Sequence, residues 1–141
     1  MNILHLTTSL SWRGGEQQLA YLLEELSKCP DMSQWVLCPR GSAVQDFCKR
    51  HTIRYEVFVG ENYFLAAFTL KRMVRKNDIQ LVHAHDGHAV GISAWAAFWG
   101  MRTPQVLHRR VIFPLKNNPI SKRIVTKFSL TPDQLLELSA Y

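Results

Sequence analysis

Hydrophobic and polar positions follow two alternating periods along the chain. An apolar run at positions 3–6 is typical of a buried strand, and leucines then recur at helical spacing over positions 19–26. The same succession continues along the chain, with Ser42 as a predicted N-cap. The predicted strands are Asn2–Thr7, Gln34–Cys38, Arg54–Val59, Ile79–His83 and Pro104–His108. The predicted helices are Gly15–Lys28, Ser42–His51, Phe64–Lys76, Gly87–Trp99 and Pro119–Phe128.

This alternation of strand and helix predicts the fold class. Units of this length imply a parallel sheet with helices on both faces. We therefore expect an α/β, Rossmann-like doubly wound parallel sheet of about five strands flanked by helices, with strands 1 and 4 adjacent where the winding reverses. Residues 1–128 would form this domain. Residues 129–141 are an atypical tail, predicted to be helical from the helix-start signature at 131–133.

The composition is that of an ordinary globular protein. With 141 residues, of which 47% are hydrophobic and 20% charged, the chain suffices for one domain with its own core. The longest weakly polar stretch, 89–101, is too short to cross a bilayer, and no signal-peptide pattern is visible, so we expect a cytoplasmic protein. Cys29, Cys38 and Cys48 form no CxxC pair, which predicts reduced thiols rather than disulfides or a zinc site.

The formal net charge of +6 is concentrated in two segments. Residues 101–128 contain seven Lys and Arg and no Asp or Glu, which predicts attraction to phosphate, to anionic lipid headgroups or to nucleic acid. A second basic cluster at 71–76 is interpreted as a solvated helix face. Because no nucleic-acid-binding signature accompanies the charge, we expect no nucleic-acid partner.

Unusual polar residues follow three of the predicted strands. Strand 1 ends in a loop that contains Gly14 and Gly15 just before a helix, strand 4 ends in a segment rich in histidine at 83–88, and strand 5 ends at 108–110 in His-Arg-Arg. Paired glycines at a helix start suit an anion or sugar-phosphate site, although a tight turn that only packs the helix is the alternative. Since the carboxyl ends of parallel strands share one edge, the convergence predicts a ligand site there.

The histidines near this edge are interpreted individually. We expect His83 and His85, at alternate positions of strand 4, to point to opposite faces of the sheet, which leaves too few ligands for a metal site. His85 would then face the cleft, and His83 would be a packing residue. His5 is interpreted as a core histidine. Asp86 is predicted to cap the following helix, with the orientation of an imidazole as the alternative.

Further alternatives remain open for the aromatic and basic residues of this edge. Trp12 either stacks on a sugar or covers the sheet. Arg109 and Arg110 either bind phosphate or pair with Asp86. No nucleophile elbow is present, and Cys38 has no evident base partner, so nucleophilic catalysis is not expected.

Three motifs in order, SLSWRGGEQQLAYLLEEL, DIQLVHAHDGHA and VLHRRVIFPLK, resemble the N-terminal half of GT-B glycosyltransferases of family 4. The resemblance implies transfer of a sugar from a nucleotide-sugar to a sugar or lipid acceptor, usually with retention and with no required metal or other cofactor. It implies that His85 is the catalytic residue. It places Gly14, Gly15 and Glu16 in the loop beside the donor phosphates. It implies contacts to acceptor or phosphate from Trp12, Arg13, His108, Arg109 and Arg110.

The resemblance also implies a second, C-terminal donor-binding domain, whose diphosphate-binding residues and paired-glutamate motif are not found in these 141 residues. We therefore expect the chain by itself to have little or no transferase activity. The basic helix near 119–128 is similar to surfaces that dock some members on anionic membranes, so peripheral contact with the inner membrane face is expected. Two alternatives stay open: a non-catalytic nucleotide- or phosphate-binding module, and a basic membrane-surface adaptor.

Overall fold

The computed structural model describes residues 1–60 and 62–108, which form five strands and four helices. The strands are β1 (Asn2–Leu6), β2 (Ser33–Pro39), β3 (Arg54–Phe58), β4 (Leu81–Ala84) and β5 (Gln105–Leu107). The helices are α1 (Gly14–Ser27), α2 (Ala43–Arg50), α3 (Tyr63–Lys76) and α4 (Gly87–Phe98). These elements agree with the predicted ones to within one or two residues at each end. The predicted helix at 119–128, the tail at 129–141, and Arg109 and Arg110 lie outside the described residues.

All five strands form one parallel sheet in the order β3-β2-β1-β4-β5. β1 is the central strand, because it pairs with β2 on one side and with β4 on the other. The predicted Rossmann-like topology, with strands 1 and 4 adjacent, is therefore confirmed. The chain order reverses between β1 and β4, which is the position where such sheets bind ligands beyond the strand ends.

The sheet is covered by a hydrophobic layer on each face. Leu4 and Leu6 of β1 and Val82 of β4 pack with α3 and α4 in one layer. α1 and α2 pack with Val36 of β2 in the other. Because side chains alternate along a strand, His5 lies on the face opposite to Leu4 and Leu6.

Side chains fix the starts of the helices. Ser42 caps α2 as predicted, since its Oγ accepts the Gln45 N–H at 3.2 Å. Asn62 caps α3 by accepting the Leu65 N–H at 3.2 Å, a cap that the sequence prediction did not identify. α4 is followed by Gly100 at φ +88°, a backbone conformation in which glycine avoids the Cβ penalty. Within the described part of the chain, we find no helix with the length and apolarity that a bilayer crossing requires.

Candidate ligand site at the ends of β1 and β4

A groove of about 640 Å³ lies at the carboxyl ends of β1 and β4. Residues 8–11, 13, 15 and 16, from the loop after β1 and the start of α1, form one wall. Residues 85–88, at the end of β4 and the start of α4, form the other wall. The predicted convergence of the strand 1 and strand 4 loops is therefore present in the structure.

Asp86 joins the two walls of this groove. Its carboxylate accepts the Ala89 N–H at 2.8 Å, which confirms the predicted cap of α4. The same carboxylate accepts the Thr8 N–H and the Thr8 hydroxyl, both at 2.7 Å, and the Thr7 hydroxyl at 3.2 Å. One side chain thus fixes the loop after β1 relative to the start of α4. Thr7 and Thr8 were not among the predicted site residues, although a polar pair that ends a buried strand is a usable signal.

His85 is positioned by an extension of the β1–β4 pairing. Its backbone N–H donates to the Leu6 carbonyl at 2.9 Å, one residue beyond the end of β4. The side chain is buried, and its Nε2 lies 3.0 Å from Nδ1 of His5. His5 is buried as predicted for a core histidine, but it also contacts the residue assigned to catalysis by resemblance.

The expectation that His83 and His85 point to opposite faces is wrong. Their ring centroids lie 3.9 Å apart, and both rings lie near His5, whose centroid is 5.7 Å from that of His83. The reason is the two-residue period of a strand, which places positions i and i+2 on the same face. In addition, the register of the sheet sets His5 directly beside His83.

A metal site was not expected because His83 and His85 were predicted to lie on opposite faces of the sheet. Since both rings lie on the same face, that geometric reason no longer holds. One ring nitrogen from each of His5, His83 and His85 lies within 4.8 Å of the other two. Imidazole nitrogens are common ligands of transition metals, and tetrahedral zinc with bonds of about 2.0–2.1 Å would hold them roughly 3.4 Å apart. The expectation that no metal is required rests on the family resemblance alone and stays a prediction.

Burial determines the protonation of His5. Removal from water, followed by the nearby His83, lowers the pKa of His5 to about 3, and the Gln34 side chain opposes this shift. His5 is therefore a neutral imidazole at physiological pH. A neutral ring offers one donor and one acceptor nitrogen, so the 3.0 Å contact couples the tautomer of His5 to that of His85.

The two glycines stand at the start of α1, and Gly15 lines the groove. Gly14 has no positive φ, and a Cβ placed on it would meet no other atom within 4 Å. Neither backbone conformation nor packing therefore requires glycine at this position. The tight-turn alternative, which needs glycine for its conformation or its packing, therefore has no support at Gly14.

Glu16 and Arg13 support the start of α1. The buried Glu16 carboxylate accepts the Arg13 backbone N–H at 3.0 Å, as in the second half of a capping box. The Arg13 guanidinium donates through Nε to the Ser11 hydroxyl at 3.1 Å and lines the groove. Glu16 thus has a structural role at the groove wall, as the third residue of α1.

The other predicted site residues lie nearby or outside the described range. Trp12 donates its Nε1–H to Gln17 at 3.0 Å and packs on Phe47 of α2, with centroids 5.6 Å apart. His108 donates its backbone N–H to the Ala84 carbonyl at 2.8 Å, and its ring is stacked near His83 at 5.9 Å. His108 thereby extends the histidine cluster toward β5.

These features define a Rossmann-like α/β domain with a groove at its switch point, which is the candidate ligand site. The Glycosyltransferase Family 4 profile matches residues 12–135. Because the match covers most of the sequence, the chain belongs to this glycosyltransferase family. No curated protein matches the sequence significantly.

Solved structures show the same fold at low sequence identity. HepE from Anabaena, in complex with UDP and glucose, matches 92% of this chain with a TM-score of 0.70 and 21% identity. MurG from Acinetobacter baumannii matches 91% of this chain with a TM-score of 0.66 and 12% identity. The UDP-GlcNAc 2-epimerase from Neisseria meningitidis, bound to UDP-GlcNAc, matches 99% of this chain with a TM-score of 0.62 and 17% identity. The chain spans 36%, 39% and 44% of these three proteins, respectively.

Proposed function

We propose that this chain is the N-terminal, acceptor-side domain of a retaining glycosyltransferase that moves a sugar from a nucleotide-sugar to a glycan or lipid acceptor. The observation that carries the proposal is the position of His85, at the groove between the start of α1 and the start of α4. Membership of Glycosyltransferase Family 4 supports it. The presence of UDP and glucose in the HepE structure is consistent with a nucleotide-sugar as donor.

The proposed roles follow from where the residues lie. His85 is the catalytic residue in this proposal, since it lines the groove and its imidazole contacts His5. The backbone of Gly14 and Gly15 approaches the donor phosphates, and Glu16 holds that helix start by its cap. The proposed contacts to acceptor or phosphate come from Trp12, Arg13, His108, Arg109 and Arg110.

The proposed domain comprises residues 1–128, followed by the tail 129–141, and works with a second, donor-binding domain. Catalysis of this kind depends on groups that stabilise the charge of the departing diphosphate. In our proposal the second domain supplies most of those groups, and no metal or other cofactor is needed. The 141-residue chain by itself therefore has little or no transferase activity.

An activity assay tests the domain assignment. The 141-residue chain and a longer protein that joins this domain to a donor-binding half are incubated with a panel of nucleotide-sugars and with sugar and lipid acceptors. Turnover is expected only from the longer protein. Robust turnover by the 141-residue chain would contradict the assignment of the donor site to a second domain.

Calorimetry with UDP distinguishes this proposal from a non-catalytic nucleotide-binding module. Weak binding to the 141-residue chain is expected, because the first domain supplies only one wall of the site. Tight binding by the chain alone would favour the module instead.

A further inference from the structure

His88 and Tyr63 form a hydrogen-bonded pair beside the groove at the ends of β1 and β4. Nδ1 of His88 lies 2.7 Å from the Tyr63 hydroxyl, and the centroids of the two rings are 5.3 Å apart. His88 is the second residue of α4 and lines the groove, three positions after His85. The pair therefore connects the groove to α3, a helix on which no site residue was predicted.

Tyr63 is held in place by the fold. It is the first residue of α3, directly after Asn62, whose side chain accepts the Leu65 N–H. Its half-buried ring packs against the hydrophobic layer that α3 and α4 form on the sheet. The His88 ring is exposed, so its orientation depends on the hydrogen bond to this anchored phenol. A side chain oriented in this way by a packed neighbour is typical of a binding site.

The pair lies on the α3 side of the groove. α1 and α2 pack on one face of the sheet, whereas α3 and α4 pack on the other. The proposed contacts to the donor phosphates, Gly14 and Gly15, are the first residues of α1. His88 is therefore tied to the layer opposite to the one that carries those glycines, which favours the acceptor as its ligand.

The hydrogen bond to Tyr63 occupies one ring nitrogen of His88 and leaves Nε2 for a ligand. Among residues 1–60 and 62–108, Tyr63 is the only hydrogen-bond partner of the His88 side chain. When the phenol donates to Nδ1, Nε2 carries the proton and donates; when Nδ1 donates to the phenol, Nε2 accepts. A sugar hydroxyl matches either tautomer, because it both donates and accepts, whereas an ionised phosphate or carboxylate oxygen only accepts.

We propose that His88, positioned by Tyr63, binds a hydroxyl group of a sugar acceptor and contributes to the choice of acceptor. This inference rests on the proposed function, because it assigns a role within the acceptor site of that transferase. A site that hydrogen-bonds a substrate hydroxyl discriminates against an analogue without it, since the polar group of the protein is then left unpaired in the complex.

Steady-state kinetics tests the proposal in a protein that joins this domain to a donor-binding half. The acceptor is the sugar that supports turnover in the panel assay described above. His88→Ala should raise KM for this acceptor about tenfold, and Tyr63→Phe about threefold, since one hydrogen bond is lost or misaligned. KM for the nucleotide-sugar should change less than about twofold. The double variant should be no weaker than His88→Ala, because Tyr63 acts through His88.

Deoxy analogues of the acceptor give a readout that a merely structural role would not move. In the unsubstituted protein, one analogue should have a KM about tenfold higher than the complete sugar. His88→Ala should abolish this difference, because the partner of the missing hydroxyl is then absent. A structural effect of the substitution would raise KM for every analogue alike and preserve the difference.

Matched controls remove the same chemical groups elsewhere in the domain. Tyr21→Phe removes an exposed hydroxyl from α1, and His51→Ala removes an exposed imidazole at the end of α2. Both should stay within about twofold of the unsubstituted protein in KM for the acceptor, and circular dichroism checks that every variant folds.

The outcomes separate this inference from the proposed function. Turnover with unchanged discrimination in His88→Ala, or with equal effects in the controls, would overturn the inference and leave the transferase assignment intact. Turnover only with acceptors that contain no sugar would overturn it as well. If the unsubstituted protein neither transfers a sugar nor hydrolyses a nucleotide-sugar, the proposed function itself fails, and the inference fails with it.

Discussion

Nδ1 of His5 lies 3.0 Å from Nε2 of His85, although the two residues are 80 positions apart in the sequence. The parallel pairing of β1 with β4 creates this contact, because it sets His5 beside His83 and extends to His85 through the Leu6 carbonyl. His5 is neutral, so the hydrogen bond links the proton positions of the two rings. We therefore assign His5 as the residue that positions His85.

Substitution of His85 is expected to remove most of the proposed activity. In a protein that carries this domain together with a donor-binding half, His85→Gln should lower kcat about a hundredfold or more, the usual contribution of a positioned acid–base or polar group. Steady-state kinetics measures this loss. His51→Gln, which removes an exposed histidine on the other side of the domain, is the matched control. Unchanged kcat in the His85 variant would contradict the catalytic role.

Substitution of His5 is expected to change the pH profile of the same protein. His5→Phe keeps an aromatic ring but removes the nitrogen that contacts His85, so the pKa that governs kcat should shift. A purely structural His5 would lower the yield of folded enzyme without moving that pKa. The pH dependence of kcat therefore separates the two roles.

The stability of the domain is expected to fall in mild acid because of His5. Its pKa is about 3 in the folded protein and 6.5 in the unfolded chain, so the unfolded chain binds the additional proton between these values. The contribution of neutral His5 to the free energy of unfolding is fully present above pH 6.5 and is lost as the pH falls toward 3. Between pH 7 and pH 5 the free energy of unfolding should drop by about 2 kcal/mol through His5. Urea denaturation at both pH values measures it, and His5→Phe should lack this part of the loss.

Asp86 is expected to stabilise the domain, since its carboxylate caps α4 and holds Thr8. Asp86→Ala should lower the free energy of unfolding by about 1–2 kcal/mol, and Asp86→Asn by less, because asparagine retains an acceptor for the cap. Chemical denaturation gives the values. The exposed Asp31→Ala should stay within about 0.5 kcal/mol of the unsubstituted chain. Equal effects at the two positions would show that the Asp86 contacts contribute nothing.

One fast-reacting thiol is expected in the folded chain. Cys29 is exposed, whereas Cys38 and Cys48 are buried. Burial raises the pKa of Cys38 to about 11 and that of Cys48 to about 12, so neither forms the reactive thiolate at neutral pH. Titration with a thiol reagent should show one rapid equivalent in buffer and three in denaturant. Cys29→Ser should abolish the rapid phase, and a second rapid equivalent would contradict the described burial.

Local sequence determined the architecture of this protein. The apolar runs and helical spacings located every described element, and the polar residues Ser42 and Asp86 marked the helix starts that they cap. The reason is that burial and capping act over a few residues, so their signals lie within short stretches of sequence. The succession of strand and helix then restricted the topology to a parallel sheet with β1 and β4 side by side.

Only the tertiary structure decided which side chains meet. The sequence shows His5, His83, His85 and His108 as separate residues. The prediction wrongly placed His83 and His85 on opposite faces of the sheet, so it did not bring the rings together. Pairing of β1, β4 and β5 brings their rings into one cluster, and burial then fixes His5 in its neutral form. A contact between exposed aromatic rings arises in the same way, since Phe64 of α3 and Trp95 of α4 meet from positions about thirty residues apart. Contacts of this kind depend on register and on packing between elements, which local patterns do not encode.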